Sequence, residues 1–443
     1  MSPSEKNTSG KHHNDDSVVA SQSGGTQAQS EKLATLEINH GQDKGQTQNT
    51  STPTTSPSSS IDITTRSDLS LLYRVLRTLI RPLRPNLVRP GKPFPAGSPR
   101  LSPPNKQGVN IVESCSEGVW QYTFQPKNST STSKEDKLEH DGARKHQIYY
   151  FVGGGFQSPP SSQHWQFLTT LSKHLSSSTS HDEPQNIKNN NRYTPEVTLI
   201  SYPLAPNSPA SQSYPILQKW LSATLHSADL TSDKITLMGD SSGGNIALSL
   251  GFWAVENHIP ASSQPDPSGH AAAIPHSDKR TGFPLVSLLA ISPAVDLRNV
   301  NPEMHGADRH DPILTVELTS RVARAWASEP SRSRHLLDMP DGPRPHLVTD
   351  AQLSPLLNTE VAFDALRRKG VSVHGVVGTH DVLGPDALLF MRKCEACGVN
   401  GKWLVWDGQM HCFPLAAGKG PLGLSEAKAA MTWIEHVVRS HEF

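Results

Sequence analysis

Hydrophobic positions are spread unevenly along the chain. Over residues 1–66 only 11 are apolar and none is aromatic. So little apolar surface cannot offset the entropy of ordering, and the stretch is expected to be a disordered polar tail. The pattern changes at Ser67. Leu69, Leu72, Leu76, Leu79 and Ile80 recur at helical spacing, with Arg74, Arg77 and Arg81 toward the other side. This predicts an amphipathic helix over 67–81. Ser67 and Asp68 suit its N-cap, Pro82 stops it, and a Pro-rich extended lead-in runs to Pro104.

Beyond that point, strand-like and helix-like segments alternate. Strands are predicted at 118–124, 147–152, 197–202, 234–238, 285–291, 371–378 and 403–406. Helices are predicted at 163–175, 215–225, 244–255, 315–327, 385–397 and 425–440. Several central strands read as unbroken apolar runs, as strands buried on both faces do. The order predicts an α/β fold, a doubly wound, mostly parallel sheet, within one catalytic domain over 105–443. Polar inserts at 127–145, 176–194, 258–282 and 329–348 read as surface loops. A helical cap is expected from the 67–81 helix and from 301–327, within an insertion near 300–350.

Composition narrows the function classes. The 443 residues carry Lys+Arg 41 against Asp+Glu 41, so no bulk charge favours a polyanion and no nucleic-acid partner is expected. No run of about 18 apolar residues could span a bilayer, and the first residues hold no apolar leader segment. Four cysteines are too few for a disulfide scaffold, which favours a reducing, cytoplasmic setting. Arg74, Arg77, Arg81, Arg84 and Arg89 are the one local cluster of charge. Peripheral membrane contact through 67–90 is therefore a second reading of that segment, beside capping or packing on the body.

The chemistry gathers in four places. Residues 234–238 run into Gly239-Asp240-Ser241-Ser242-Gly243-Gly244, a G-x-S-x-G between a strand and a helix. A nucleophilic serine needs this tight turn, with small residues two before and two after. Upstream, Val152-Gly153-Gly154-Gly155 ends another strand, where consecutive backbone N–H groups could converge on an oxyanion. Downstream, Asp381 follows one strand and His411 follows the last, giving the order Ser241, Asp381, His411. His380 and Asp386 are the rivals beside Asp381. Cys394 and Cys397 form a C-x-x-C, but the neighbouring His411-Cys412 is adjacent in sequence and poorly suited to share one ion with it. No metal and no cofactor is expected.

Together these residues resemble the hormone-sensitive-lipase branch of the α/β-hydrolases. The family's patterns are matched by Val152-Gly153-Gly154-Gly155, Tyr202-Pro203-Leu204-Ala205-Pro206, the Ser241 motif, Asp381-Val-Leu-Gly-Pro385-Asp386 and His411-Cys412-Phe413. Ser292-Pro293 and Asp296-Leu297 add a further match. The resemblance implies an α/β-hydrolase fold and a serine carboxylesterase (EC 3.1.1.-) acting through an acyl-enzyme. It implies Ser241 as nucleophile, His411 as general base, Asp381 as its acid partner, and Gly153, Gly154 and Ser242 as oxyanion donors. The substrate expected is a short-acyl or acetyl ester of a small hydrophobic molecule. The tail and Pro-rich lead-in look similar to fungal members tied to secondary metabolism. Acyl transfer or elimination on the same site, or a receptor that has kept the fold, are the alternatives; the presence of His411 counts against a receptor. The family's usual His before the glycines is Val152 here, the usual Arg after Tyr202 is Pro203, and the usual Ala after the nucleophile is Ser242.

Overall fold

The unbroken apolar runs become the central strands of a nine-stranded sheet. The computed structural model describes residues 59–84, 91–104, 108–126, 144–177, 193–261, 282–328, 347–417 and 423–441. Its strands are β1 (Ile61–Arg66), β2 (Val109–Ser116), β3 (Val119–Pro126), β4 (Lys145–Phe151), β5 (Thr194–Ser201), β6 (Lys234–Asp240), β7 (Leu285–Ile291), β8 (Ser372–Gly378) and β9 (Gly401–Trp406). They lie in the order β1-β9-β8-β7-β6-β4-β5-β3-β2. β3 runs against both its neighbours, and every other pairing is parallel.

The helices are α1 (Leu71–Ile80), α2 (Ser162–Ser177), α3 (Ala210–Thr231), α4 (Ser242–Asn257), α5 (Met304–Asp308), α6 (Val316–Ala327), α7 (Glu360–Lys369), α8 (Gly384–Ala396) and α9 (Ser425–Arg439). α2 packs against α9, while α3 and α7 pack against α4. The chain steps from β4 to β5 in one direction, and from β6 through β7 and β8 to β9 in the other. That reversal opens a crevice beyond the carboxyl ends of the neighbouring strands β4 and β6, where open α/β sheets bind ligands.

The expected tail needs correction at its end. Ile61–Arg66 is an edge strand paired in parallel with β9, Ile61 opposite Gly401 and Arg66 opposite Trp406. Only Ile61 of this strand is buried, so its order rests on backbone pairing, with the Arg66 guanidinium 4.1 Å above the Trp406 ring. A count of apolar residues does not register such a strand. Residues 1–58 lie outside the described residues, as do 127–143, 178–192, 262–281 and 329–346 within the expected surface inserts.

β2 and α7 were also hidden from the apolar pattern. β2 alternates partly exposed residues along the far edge, and α7 buries only Ala362, Phe363 and Leu366. α1 starts later than its spacing predicts, at Leu71, because the Ser70 hydroxyl accepts from Tyr73 N–H as the N-cap. α1 is tied to the body by hydrogen bonds at its N-cap and at Tyr73. The Tyr73 hydroxyl donates to Gly408 O at 2.9 Å, and Ser70 N–H donates to Glu426 Oε1 at 2.6 Å.

Candidate active site

Ser241 stands at the turn from β6 into α4 with φ 53° and ψ −120°. Non-glycine residues rarely hold a positive φ, and this one is kept in place by what surrounds it. Ser241 N–H donates to Ile291 O at 2.8 Å. The flanking glycines are required by contact. A Cβ on Gly243 would lie 2.0 Å from Phe151 O, and one on Gly239 would lie 2.4 Å from Gly243 O. The G-x-S-x-G pattern therefore reflects how closely α4 approaches β4 and β6.

Asp381 and His411 follow β8 and β9, and their two loops touch. A Cβ on Gly378 would meet Gln409 O at 2.3 Å, and His380 N–H donates to Gln409 O at 3.0 Å. This approach brings His411 Nδ1 to 3.0 Å from both carboxylate oxygens of Asp381. Asp381 is fully buried, and its Oδ1 also accepts from Leu383 N–H. Burial disfavours the His411 imidazolium, but the Asp381 charge and the polar contacts of Asp381 and Cys412 outweigh it. The His411 pKa therefore lies well above its ordinary value. The rivals lie elsewhere. His380 Nδ1 faces Arg77 Nη1 at 2.5 Å and its ring stacks on His310, while Asp386 accepts from Asn301.

The glycine run is held from the Ser241 motif itself. Asp240 Oδ1 accepts from Gly153 N–H at 2.9 Å and from the Tyr150 hydroxyl at 2.8 Å. Its Oδ2 lies 3.2 Å from His164 Nε2. Burial would raise the Asp240 pKa, but the His164 charge and these donors hold it below the usual carboxylate value. Ser242 Oγ accepts from Phe156 N–H at 3.1 Å, and Phe156 stacks on Trp326 of α6 at 4.5 Å. Expecting Gly153 as an oxyanion donor is thereby corrected, since Asp240 takes its N–H. Among the described residues the N–H groups of Gly154 and Gly155 have no such partner. Ser242 N–H opens α4, where the first donors of a helix lack an internal acceptor.

Two further side chains bear on the His411–Asp381 pair, and the sequence reading gave neither of them a role there. Asp311, fully buried, accepts from Ile313 and Leu314 N–H through Oδ1 and from Val382 N–H through Oδ2. It thereby ties the segment before α6 to the Asp381 loop. Burial, then the Asp381 charge, push its pKa up to about 6. Cys412 is held at φ 50° with its sulfur 3.3 Å from His411 Nε2. Among the described residues no hydrogen bond joins Ser241 Oγ to Nε2.

Ser241, His411 and the glycine run line a cavity of about 600 Å³. Leu76 and Ile80 of α1 and Leu318 and Val322 of α6 form part of its wall. Among the described residues no three His, Cys, Asp or Glu side chains converge as metal ligands. Among the same described residues no helix is long and apolar enough to cross a membrane.

The matches to known proteins agree with this geometry. A family model for the alpha/beta hydrolase fold matches residues 148–415, more than half of the chain. The chain is 25% identical over 287 residues to Esterase LipU of Mycobacterium tuberculosis (strain ATCC 25618 / H37Rv), covering 64% of this chain and 75% of that protein. Among solved structures, a hormone-sensitive lipase from a metagenome library is 17% identical, with a TM-score of 0.52 over 84% of this chain and 93% of that one. Carboxyl esterase 2 (TmelEST2) from the mycorrhizal fungus Tuber melanosporum is 17% identical, with a TM-score of 0.55 over 85% of this chain and 100% of that one. The chain belongs to the hormone-sensitive-lipase-like family of α/β-hydrolases and is an esterase/lipase-type hydrolase (EC 3.1.1.-).

Proposed function

We propose that this hydrolase cleaves uncharged, short-acyl esters of small lipophilic alcohols through Ser241, His411 and Asp381. The observation that carries the proposal is the His411–Asp381 pair, 3.0 Å through Nδ1, facing the same cavity as a serine at a strained strand-to-helix turn.

In this reading Ser241 Oγ attacks the ester carbonyl while His411 Nε2 takes the hydroxyl proton. Nε2 then returns that proton to the departing alkoxide, and water, activated by the same nitrogen, releases the acid from the acyl-enzyme. Asp381 fixes the imidazole and stabilises its cationic form. Gly154, Gly155 and Ser242 N–H groups hold the oxyanion, with Gly155 taking the place first expected of Gly153. α1 and α6 act as the cap. The cavity's described lining has no Lys or Arg, and Asp240, its one carboxylate, is already bonded to His164 and Gly153. That supports a neutral substrate, with the Leu and Val wall taking its apolar part.

The test is turnover of a p-nitrophenyl ester series together with labelling by a fluorophosphonate. Acetate to butyrate should be cleaved faster than longer chains. Ser241→Ala should lose at least about 10⁴-fold in kcat and all labelling. Undiminished turnover by that variant would remove Ser241 from the mechanism.

A further inference from the structure

The helix that supplies Leu76 and Ile80 to the cavity also presents a bare apolar row to solvent. Leu71, Val75 and Leu79 recur every four residues along α1, and Leu83 continues the row past its end. They are 78%, 56%, 66% and 54% exposed, respectively. Leu72, Leu76 and Ile80 form the adjacent row, of which Leu76 and Ile80 reach the cavity. Side chains four apart on a helix stand on one face. The apolar surface is therefore continuous from solvent into the space that holds Ser241 and His411.

The charges on this element divide by direction. Arg77 faces His380, and Arg84 is paired with Asp308. Arg74 and Arg81 are exposed and make no ion pair among the described residues. No acidic residue occurs between Leu71 and Arg84. We propose that α1 docks the enzyme on an anionic phospholipid surface, with Leu71, Val75, Leu79 and Leu83 in the acyl boundary and Arg74 and Arg81 among the headgroups.

Charge and size favour this occupant over a second copy of the chain. A two-fold copy seated on the row would bring arginines toward arginines. One helix face is also small beside the roughly 20–30 residues a side that a stable dimer uses. An apolar helix face flanked by basic residues instead matches an interfacial anchor. Docked this way, the cavity would receive a lipophilic ester from the bilayer along Leu76 and Ile80.

The test is sedimentation of the full chain with phosphatidylcholine vesicles, with and without about 30% phosphatidylserine. Anionic vesicles should bind about tenfold more tightly than neutral ones, and salt should weaken the difference. Val75→Asp/Leu79→Asp should lose at least tenfold of that binding, with turnover of a water-soluble p-nitrophenyl ester within about twofold of the parent. If that variant fails to fold, Arg74→Gln/Arg81→Gln must lower the affinity for anionic vesicles about tenfold. No sedimentation of the parent, or full binding by either folded variant, overturns the proposal. So does a parent dimer that Val75→Asp/Leu79→Asp dissociates without any vesicle binding. Because binding is read without turnover, a failed docking test and a failed triad test are told apart.

Discussion

Cys412 offers a quantitative check on the electrostatics of the site. Its sulfur lies 3.3 Å from His411 Nε2 and 3.6 Å from Asp240 Oδ2. A thiol beside a catalytic imidazole can ionise to a thiolate–imidazolium pair, or it can stay protonated and merely occupy Nε2. Here burial raises its pKa, the His411 charge lowers it, and the Asp240 charge raises it again, with the balance at about 12. At about pH 8 the thiolate fraction would be roughly 10⁻⁴, against about a quarter for a free cysteine with pKa near 8.5, a deficit of about 2,000-fold. Greater nucleophilicity of the more basic sulfur returns roughly 25–55-fold of that. Exchange with a small neutral disulfide such as 4,4′-dithiodipyridine should therefore run about 50-fold slower than with free cysteine, with the modified site assigned by peptide mapping. Restricted access could slow the reaction too, so the deciding observation is slope. The logarithm of the Cys412 rate should climb by about one per pH unit from about pH 7 to 10. A plateau below about pH 9 would mean that His411 holds a thiolate, and the balance argued here would be wrong. If the thiol is neutral, Cys412→Ala removes a competitor for Nε2 together with a contact that helps hold the His411 pKa up. Its kcat/KM should then rise about twofold, the lower end of what a hydrogen bond is worth.

Two further predictions concern carboxylate and histidine charge. Asp311→Asn replaces an oxygen that accepts backbone N–H with an amide N–H₂, loosening the Asp381 loop, and removes a negative charge near His411. kcat should fall about tenfold, and the acid limb of the pH–kcat/KM profile should move to lower pH, because the imidazolium loses support. A limb that stays in place would leave Asp311 with a purely structural role. His146, buried on β4 with Nε2 2.8 Å from Thr236 Oγ1, has its pKa depressed to about 3 by burial, then by His441 and Lys234. The unfolded chain takes up that proton near pH 6.5 and the folded chain does not, so stability is lost as pH falls below about 6.5. Between about pH 7 and 5 the loss is about 2 kcal/mol. In urea titrations at these two pH values, His146→Phe should lose about 2 kcal/mol less than the parent, and an equal loss in both would refute the assignment.

The three residues proposed as a triad could be singled out because each follows a strand that its apolar run reveals: Ser241 after β6, Asp381 after β8 and His411 after β9. Features that depend on contacts between distant segments were not. A glycine run after β4 shows that backbone donors gather there, yet not which of them are free. Asp240, 87 residues on, takes the donor of Gly153. β1 was missed for a related reason, since its order comes from β9 and not from its own composition. His164, one of 21 histidines, carries no local signal, and Asp311 sits in a loop with none.

The family departures then acquire a physical reading. Val152 stands where the family places a histidine, but here it serves through its backbone, its carbonyl accepting from the Tyr202 hydroxyl at 2.9 Å. From the other side Asp240 holds Gly153 N–H, and Ser242 Oγ holds Phe156 N–H. None of these bonds uses a side chain of the glycine loop, so losing the histidine leaves them intact. Asp240 and Ser242 flank the proposed nucleophile, so the bonds that place the proposed oxyanion donors come from β6 and α4. Any shift of the Ser241 turn would carry those donors with it, so in the proposed mechanism attack and charge stabilisation stay in register through one strand-to-helix junction.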